Sequence, residues 1–319
     1  MKTVLVLLIA LMSASAHPAD STYPTRPIRI VVPFPPGGGS DLIARLLATK
    51  FADALGQNGV VDNRPGAGSL IGTKLVAGSP NDGYTVLLAD TPFAVNPEIY
   101  SNAGYHPLKD FAMVTQLAAT PIMLVVSPSL PAHSAQEFVA LAKAQPRKLT
   151  MSNGGVGSIG QLATAVLMIN AGIELTGVQY KGGGPALIGV LAGEVVSNVA
   201  PAPVAMPHMR SGKVRALGVA SPKRSAFAPD VPTMLEGGVN FIVTNWYIIV
   251  APAHTPPAIL AKLNDACARI LSQRDSVDQL ARALIEVAPS ASPREVRDMI
   301  TSETARWSHV VKQADIKVE

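Results

Sequence analysis

Pro27-Ile28-Arg29-Ile30-Val31-Val32-Pro33-Phe34-Pro35-Pro36-Gly37-Gly38-Gly39-Ser40-Asp41-Leu42-Ile43 is the stretch that decides the fold. Pro27 to Phe34 is an apolar, β-branched run of the kind that forms a buried strand. A glycine-rich turn follows. From about Ser40 the chain reads as a helix, with Leu42, Ile43, Leu46, Leu47, Phe51 and Leu55 on one apolar face. Strand, glycine turn and helix make the first half of a βαβ unit.

The same alternation extends outward. Val60 to Asp62 fits a strand, Leu70 to Ala77 a helix, Asn81-Asp82-Gly83 a turn and Tyr84 to Ala89 a strand. A second block repeats the pattern. Ile122 to Ser127 is a strand, and Ser134 with Glu137 makes a capping box for a helix through Phe138, Leu141 and Ala142. Lys148 to Ser152, Val178 to Lys181, Val195 to Val199 and Arg215 to Ala220 read as strands. Helices fit Ile159 to Asn170 and Pro185 to Ala192. Alternating strands and helices predict an α/β fold with parallel sheet and crossover helices. The tail is helical. Thr255-Pro256-Pro257 opens one helix, and Ser292-Pro293-Arg294-Glu295 opens another as a capping box with proline in the first turn. Its apolar face is Val296, Met299, Ile300, Trp307 and Val310. No Pro/Ser-rich spacer divides the chain, which suits a polypeptide that crosses twice between two lobes.

A length of 319 residues suggests two domains. The composition, 48% hydrophobic with 15% charged residues, excludes a disordered chain. The net charge of +4 is scattered, with no basic run interleaved with aromatics, so no nucleic-acid partner is expected. At the N-terminus Lys2 precedes the apolar run Val4 to Met12 and then Ala14-Ser15-Ala16. That order predicts a secretory signal peptide, residues 1–16, and a periplasmic mature protein. The run is far short of the ~20 residues of a spanning helix. Cys267 stands alone in a helical apolar pattern and reads as a small buried hydrophobe. The six histidines show no metal-ligand spacing. No metal and no cofactor are expected.

Three glycine-rich loops stand between a predicted strand and a predicted helix: Pro35 to Asp41, Asn153 to Ser158, and Lys181 to Pro185. In a parallel α/β sheet such loops lie at the carboxyl ends of strands, where ligands bind. Helix N-termini there offer unpaired N–H groups and a partial positive charge. They form an anion site that needs no catalytic side chain. Enzyme readings fail on their own terms. Gly155-x-Gly157-x-x-Gly160 matches a dinucleotide fingerprint, but Gln179-Tyr180-Lys181 occupies the position where an acidic residue is required. No Gly-Lys-Ser/Thr follows a glycine cluster, and Val156 stands where a nucleophile elbow needs glycine. The chain is therefore not expected to be an enzyme.

Taken together the motifs resemble the solute-binding receptors of tripartite tricarboxylate transporters, the Bug receptors. The resemblance rests on Pro33 to Asp41, Asn63-Arg64-Pro65-Gly66-Ala67-Gly68, Asn81-Asp82-Gly83-Tyr84-Thr85, Ala94-Val95-Asn96-Pro97, Tyr180-Lys181-Gly182, Arg210-Ser211-Gly212-Lys213 and Ala251-Pro252. It covers essentially the whole mature chain. It implies a type II periplasmic binding protein fold, two lobes with mainly parallel sheets around a ligand cleft. Lobe one would be 24–121 plus 247–319, and lobe two 122–246. It also implies capture of a small carboxylate-type metabolite for membrane permease subunits, by a receptor acting as a monomer. By the same resemblance the ligand would meet Phe34, Pro36, Gly37, Gly38, Ser40, Asp41 and Thr91 on one lobe. On the other it would meet Gly157, Ser158, Gln161, Tyr180, Lys181 and Gly182. The chain departs from the family pattern at Gln161, Val196 and Ala200, where His, Asp and Asp are usual. The cleft is thus expected to lack acidic and imidazole groups for a ligand's far end, and a less polar carboxylate would suit it. A ligand-presenting subunit for a membrane sensor kinase is the alternative reading, and an exported enzyme using the same cleft a more distant one.

Overall fold

The computed structural model describes residues 23–290 and 292–316. The signal peptide expected at residues 1–16 lies outside them. The chain opens as the first motif dictates. Strand β1 (Ile28–Val32) runs parallel to β2 (Gly59–Asn63) on one side and β3 (Thr85–Asp90) on the other. Helices α1 (Gly39–Leu55), α2 (Leu70–Ala77) and α3 (Pro92–Ile99) make the connections. Of the apolar face expected for α1, Ile43, Leu46, Leu47 and Phe51 are buried against the sheet, Leu55 is half-buried and Leu42 is exposed.

Strand β4 (Phe111–Val126) is the longest in the molecule and joins its two halves. Beyond it, α4 (Ala135–Ala144) leads to β5 (Thr150–Asn153). Helix α5 (Ile159–Ala171), β6 (Thr176–Gln179), α6 (Gly183–Leu191), β7 (Ser197–Pro201), α7 (Ala202–Arg210) and β8 (Arg215–Val219) complete this half. Here β5 lies between β6 and β7, parallel to both. The return strand β9 (Thr244–Pro252) pairs antiparallel with β3 and with Phe111 to Pro121 of β4. From Ile122 to Val126, β4 changes partners to β7 and β8. Each half therefore has a parallel wing, and the crossing strands between them run antiparallel.

The sequence pattern located only the second part of β4. Thr115, Gln116, Thr120 and Pro121 interrupt the apolar run, and two register shifts against β9 break its alternation. Helix α7 also escaped the pattern, because Pro203 and Pro207 argue against a helix. The capping signals are met. Ser134 Oγ accepts the Glu137 N–H at 3.2 Å while Glu137 Oε2 accepts the His133 N–H at 2.7 Å. Ser292 Oγ accepts the Glu295 N–H at 3.3 Å. Cys267 is buried, and burial pushes its thiol up to about 12.

The tail ends with α8 (Pro257–Ser272), α9 (Arg274–Arg282), the two-residue β10 (Glu286–Val287) and α10 (Pro293–Gln313). Helix α10 serves two cores. Val296 and Ile300 pack with Phe93 and Trp246 in the first half. Trp307, Val310 and Val311 pack with Phe138, Leu162 and Val166 in the second. The last turns of this tail also reach residues of the second half, because the apolar stripe of α10 is long enough to touch both. Glu303 pins the bridging point, accepting the indole N–H of Trp246 at 3.1 Å and of Trp307 at 2.9 Å.

Candidate functional site

The carboxyl ends of β1, β3, β5, β6 and β7 all open on one cavity of about 430 Å³ between the two halves. This is where ligands bind in open α/β sheets. The loop after β1 contributes Phe34 to Pro36 and Gly38 to Ser40. The end of β3 contributes Asp90. Facing them are Gly154, Ser158 and Gly160 after β5, Gly183 and Gly184 after β6, and Asn198 to Pro201 of β7. The three glycine loops singled out in the sequence thus converge.

Two helices begin at this cavity on a glycine with no side-chain cap. The N-cap of α1 is Gly38 and that of α6 is Gly182, and neither start carries a capping side chain. Their first N–H groups remain available to an anion. Glycine is required at specific points here. A Cβ on Gly39 would stand 2.6 Å from the Tyr247 hydroxyl, so glycine lets α1 start against Tyr247. Gly182 adopts φ +116°, a conformation that favours glycine.

Of the residues expected from the sequence, Phe34, Pro36, Gly38, Ser40 and Ser158 line the cavity. The others do not, and each has a physical reason. Asp41 is buried and spends its carboxylate on the loop, accepting from the Gly37 N–H at 3.0 Å, Arg45 Nε at 2.8 Å and Asn63 Nδ2 at 3.0 Å. Burial alone would raise its pKa, but these donors together hold it below the usual carboxylate range. Asp41 and Gly37 therefore shape the loop. Thr91 is fully buried and donates to Asn245 Oδ1 at 3.0 Å, tying the end of β3 to β9.

Gln161 and Gly157 close the start of α5 and lie outside the cavity lining. Gln161 Oε1 accepts the Gly157 N–H at 2.8 Å, and Ser158 Oγ accepts the Gln161 N–H at 3.3 Å. This reciprocal cap uses the very groups the resemblance assigned to binding. Tyr180 turns away, donating to Glu194 Oε2 at 2.8 Å, a hydrogen bond that raises its phenol pKa. Lys181 is exposed and outside the cavity lining, and Gly182 acts as the cap of α6.

The sequence reading missed Asp90, Tyr247 and Asn198. Asp90 corrects the expectation of a cleft without acidic groups: Ala200 does line the cavity, but an aspartate stands opposite. Asp90 and Tyr247 are register partners across β3 and β9. Burial pushes the Asp90 carboxyl up to about 8, opposed only by its own backbone N–H. Burial likewise pushes the Tyr247 phenol up to about 12, and its oxygen accepts from Thr120 Oγ1 at 3.2 Å. A usable signal existed for Asp90: a lone charge ends the apolar run Val86-Leu87-Leu88-Ala89 at a strand's carboxyl end.

Two α/β halves joined by crossing strands, with glycine loops facing each other across a cleft, define a solute-binding protein of the periplasmic-binding fold. Residues 43–316 match the model of the tripartite tricarboxylate transporter family receptors, and the chain belongs to that family of solute-binding receptors. It is 36% identical over 319 residues to protein BugT of Bordetella pertussis, spanning 99% of this chain and 98% of BugT. Among solved structures, it is 34% identical to an R. palustris protein solved with adipate. That match has a TM-score of 0.81 and covers 92% of this chain and 99% of the other. It is 32% identical to MatC from Rhodopseudomonas palustris with bound malate, at a TM-score of 0.78, covering 91% of this chain and 100% of MatC.

Proposed function

We propose that this receptor captures a small carboxylate between two lobes and delivers it to the membrane permease subunits of a tripartite transporter. The observation that carries the reading is the pair of uncapped helix starts, α1 at Gly38 and α6 at Gly182, which open on one cavity from opposite halves. A carboxylate there would accept charge-assisted hydrogen bonds from backbone N–H groups, each worth about 1.5–3 kcal/mol. The adipate and malate held by two relatives support the same ligand chemistry. In this reading lobe one comprises 24–121 and 247–319, lobe two 122–246, and the chain crosses between them in β4 and at the start of β9. The protein acts as a monomer in the periplasm after loss of residues 1–16. A ligand touching both lobes favours the closed form by its differential affinity for that form.

The test is thermal unfolding of refolded, ligand-free protein with adipate, malate and a panel of related acids. A true ligand at 100 times its Kd stabilises by about 2.7 kcal/mol. Unchanged melting with every acid at millimolar concentration would refute carboxylate capture.

A further inference from the structure

We propose that Asp90 and Asn198, on opposite walls of the cleft, form a subsite for an ammonium group, so that the ligand is an aminocarboxylate. The proposal rests on the carboxylate reading above and adds the chemistry of the ligand's other polar group. Asp90 is 8% exposed and Asn198 2% exposed, and both line the cavity. Among the described residues, Asp90 Oδ1 and Asn198 Oδ1 are buried acceptors without a hydrogen-bond partner. The other buried side-chain atoms in that state, Ser276 Oγ and Thr304 Oγ1, belong to residues outside the cavity lining. Buried polar atoms are normally bonded, so two unsatisfied acceptors on residues that line one cavity point to a place where a ligand supplies donors.

The orientation of Asn198 follows from its other bonds. Its Nδ2 donates to Ser152 O at 2.8 Å and Ser152 Oγ at 2.9 Å, which leaves the oxygen as the group available to a ligand. Both walls therefore present acceptors, and the matching ligand group is a donor. Charge selects among donors. Among the described residues no lysine, arginine or histidine acts on Asp90, and burial holds its carboxyl protonated at neutral pH. The titratable groups that sense its charge are Tyr247 on β9 and Tyr105 after α3, both pushed upward by burial. A second ligand carboxylate could accept the proton that Asp90 holds, but it would leave Asn198 Oδ1 without a donor. A hydroxyl would satisfy one acceptor and leave the acid neutral. An ammonium supplies several donors and the missing positive charge, and stabilises the ionised carboxylate. The balance is Asp90 carboxylic acid plus ligand ammonium giving the carboxylate–ammonium pair and one released proton.

The experiment uses length-matched probes on the refolded mature protein. Glycine, β-alanine, aminobutanoate and aminohexanoate are compared with acetate, propanoate, butanoate, hexanoate and the corresponding hydroxy acids, and with adipate and malate. Calorimetry of the best binder in buffers of different ionisation heat counts protons. The expected result is an amino acid that binds at least about tenfold more tightly than its deaminated partner, a difference of about 1.4 kcal/mol. Binding at neutral pH should release a proton, and the release should fall away as pH rises through about 8, the direction that a raised Asp90 pKa gives by linkage. Asp90→Asn should cost the amino acid at least about tenfold more affinity than it costs the deaminated acid, and Asn198→Leu should show the same bias. Binding of adipate, malate or a hydroxy acid in preference to every amino acid would overturn the subsite and leave the carboxylate reading intact. Tight amino-acid binding without proton release, or with equal losses in both variants, would overturn it as well. Silence from every probe would overturn both.

Discussion

Replacing Gly38 with valine separates binding from folding more cleanly than any other single change in the cleft. Gly38 has φ −81° and ψ 174°, extended backbone open to any residue. A Cβ built there meets nothing within 4 Å, so the branched side chain stands in open space at the cavity's rim and not in the core. The folded state loses little. Valine is a poorer N-cap than glycine by about 0.5–1 kcal/mol, and the reduced freedom of the unfolded chain returns about 0.4–1 kcal/mol. The ligand loses more, because the side chain occupies the approach to the first N–H groups of α1. Each charge-assisted bond forfeited costs about 1.5–3 kcal/mol, which is about tenfold to a hundredfold in Kd. The neighbouring residue gives the control. A Cβ on Gly39 falls 2.6 Å from the Tyr247 hydroxyl, so Gly39→Ala should lower Tm by forcing α1 off the sheet. Calorimetry with a ligand found in the acid screen, paired with thermal melts, reads both quantities. A folded Gly38→Val protein with unchanged affinity would refute the assignment of the anion to this helix start.

Gln161→Ala should cost about 1 kcal/mol of stability by freeing the Gly157 N–H, with ligand affinity changed less than twofold, read by urea melts and calorimetry. Trp307→Ala should cost about 3–5 kcal/mol, since the ring is fully buried where α10 joins the second core; a loss under 1 kcal/mol in urea would contradict the bridging role. Asp90 gives a pH signature: its folded pKa is raised to about 8, so its stabilising proton is fully held below the unfolded value near 4 and lost as pH rises through 8. Ligand-free wild type should therefore lose Tm across that window relative to Asp90→Asn, and parallel curves would refute the shift. Small-angle scattering should show a smaller radius of gyration with saturating ligand, and an unchanged radius would argue for a rigid pocket.

Much of the fold was legible because its signals are local. A β-branched run, a glycine turn and an amphipathic stripe within Pro27 to Leu55 state a βα unit without reference to the rest of the chain. Ser134 with Glu137, and Ser292 with Glu295, fix two helix starts by reach alone. The elements that escaped are defined by distant partners. Phe111 to Pro121 is a strand because β9, over a hundred residues away in sequence, hydrogen-bonds to it. Its polar positions Thr115, Gln116 and Thr120 have their own uses, and Thr120 Oγ1 reaches Tyr247. Likewise nothing local says that the end of α10 belongs to a second core.

The candidate site divides along the same line. Sequence found the loops, because dense glycine between strand and helix is a local statement about backbone. It did not separate residues that face the cavity from residues that hold the loop. Asp41, Thr91 and Gln161 are polar, adjacent to those loops and buried or half-buried, yet each already spends a side-chain oxygen on a hydrogen bond within the protein. A satisfied polar group gains little from a ligand, whereas an unsatisfied one gains a bond it lacks. By that criterion the informative residues are Asp90 and Asn198, whose free oxygens become visible only when every neighbour is in place. Asp90 lies in a strand that reads as ordinary core, and Asn198 in another whose neighbours Val199 and Ala200 are apolar. A cleft that reads as stripped of charge in sequence thus carries an acid whose pKa burial raises, and the property that distinguishes it is a carboxyl oxygen without a partner in the folded chain.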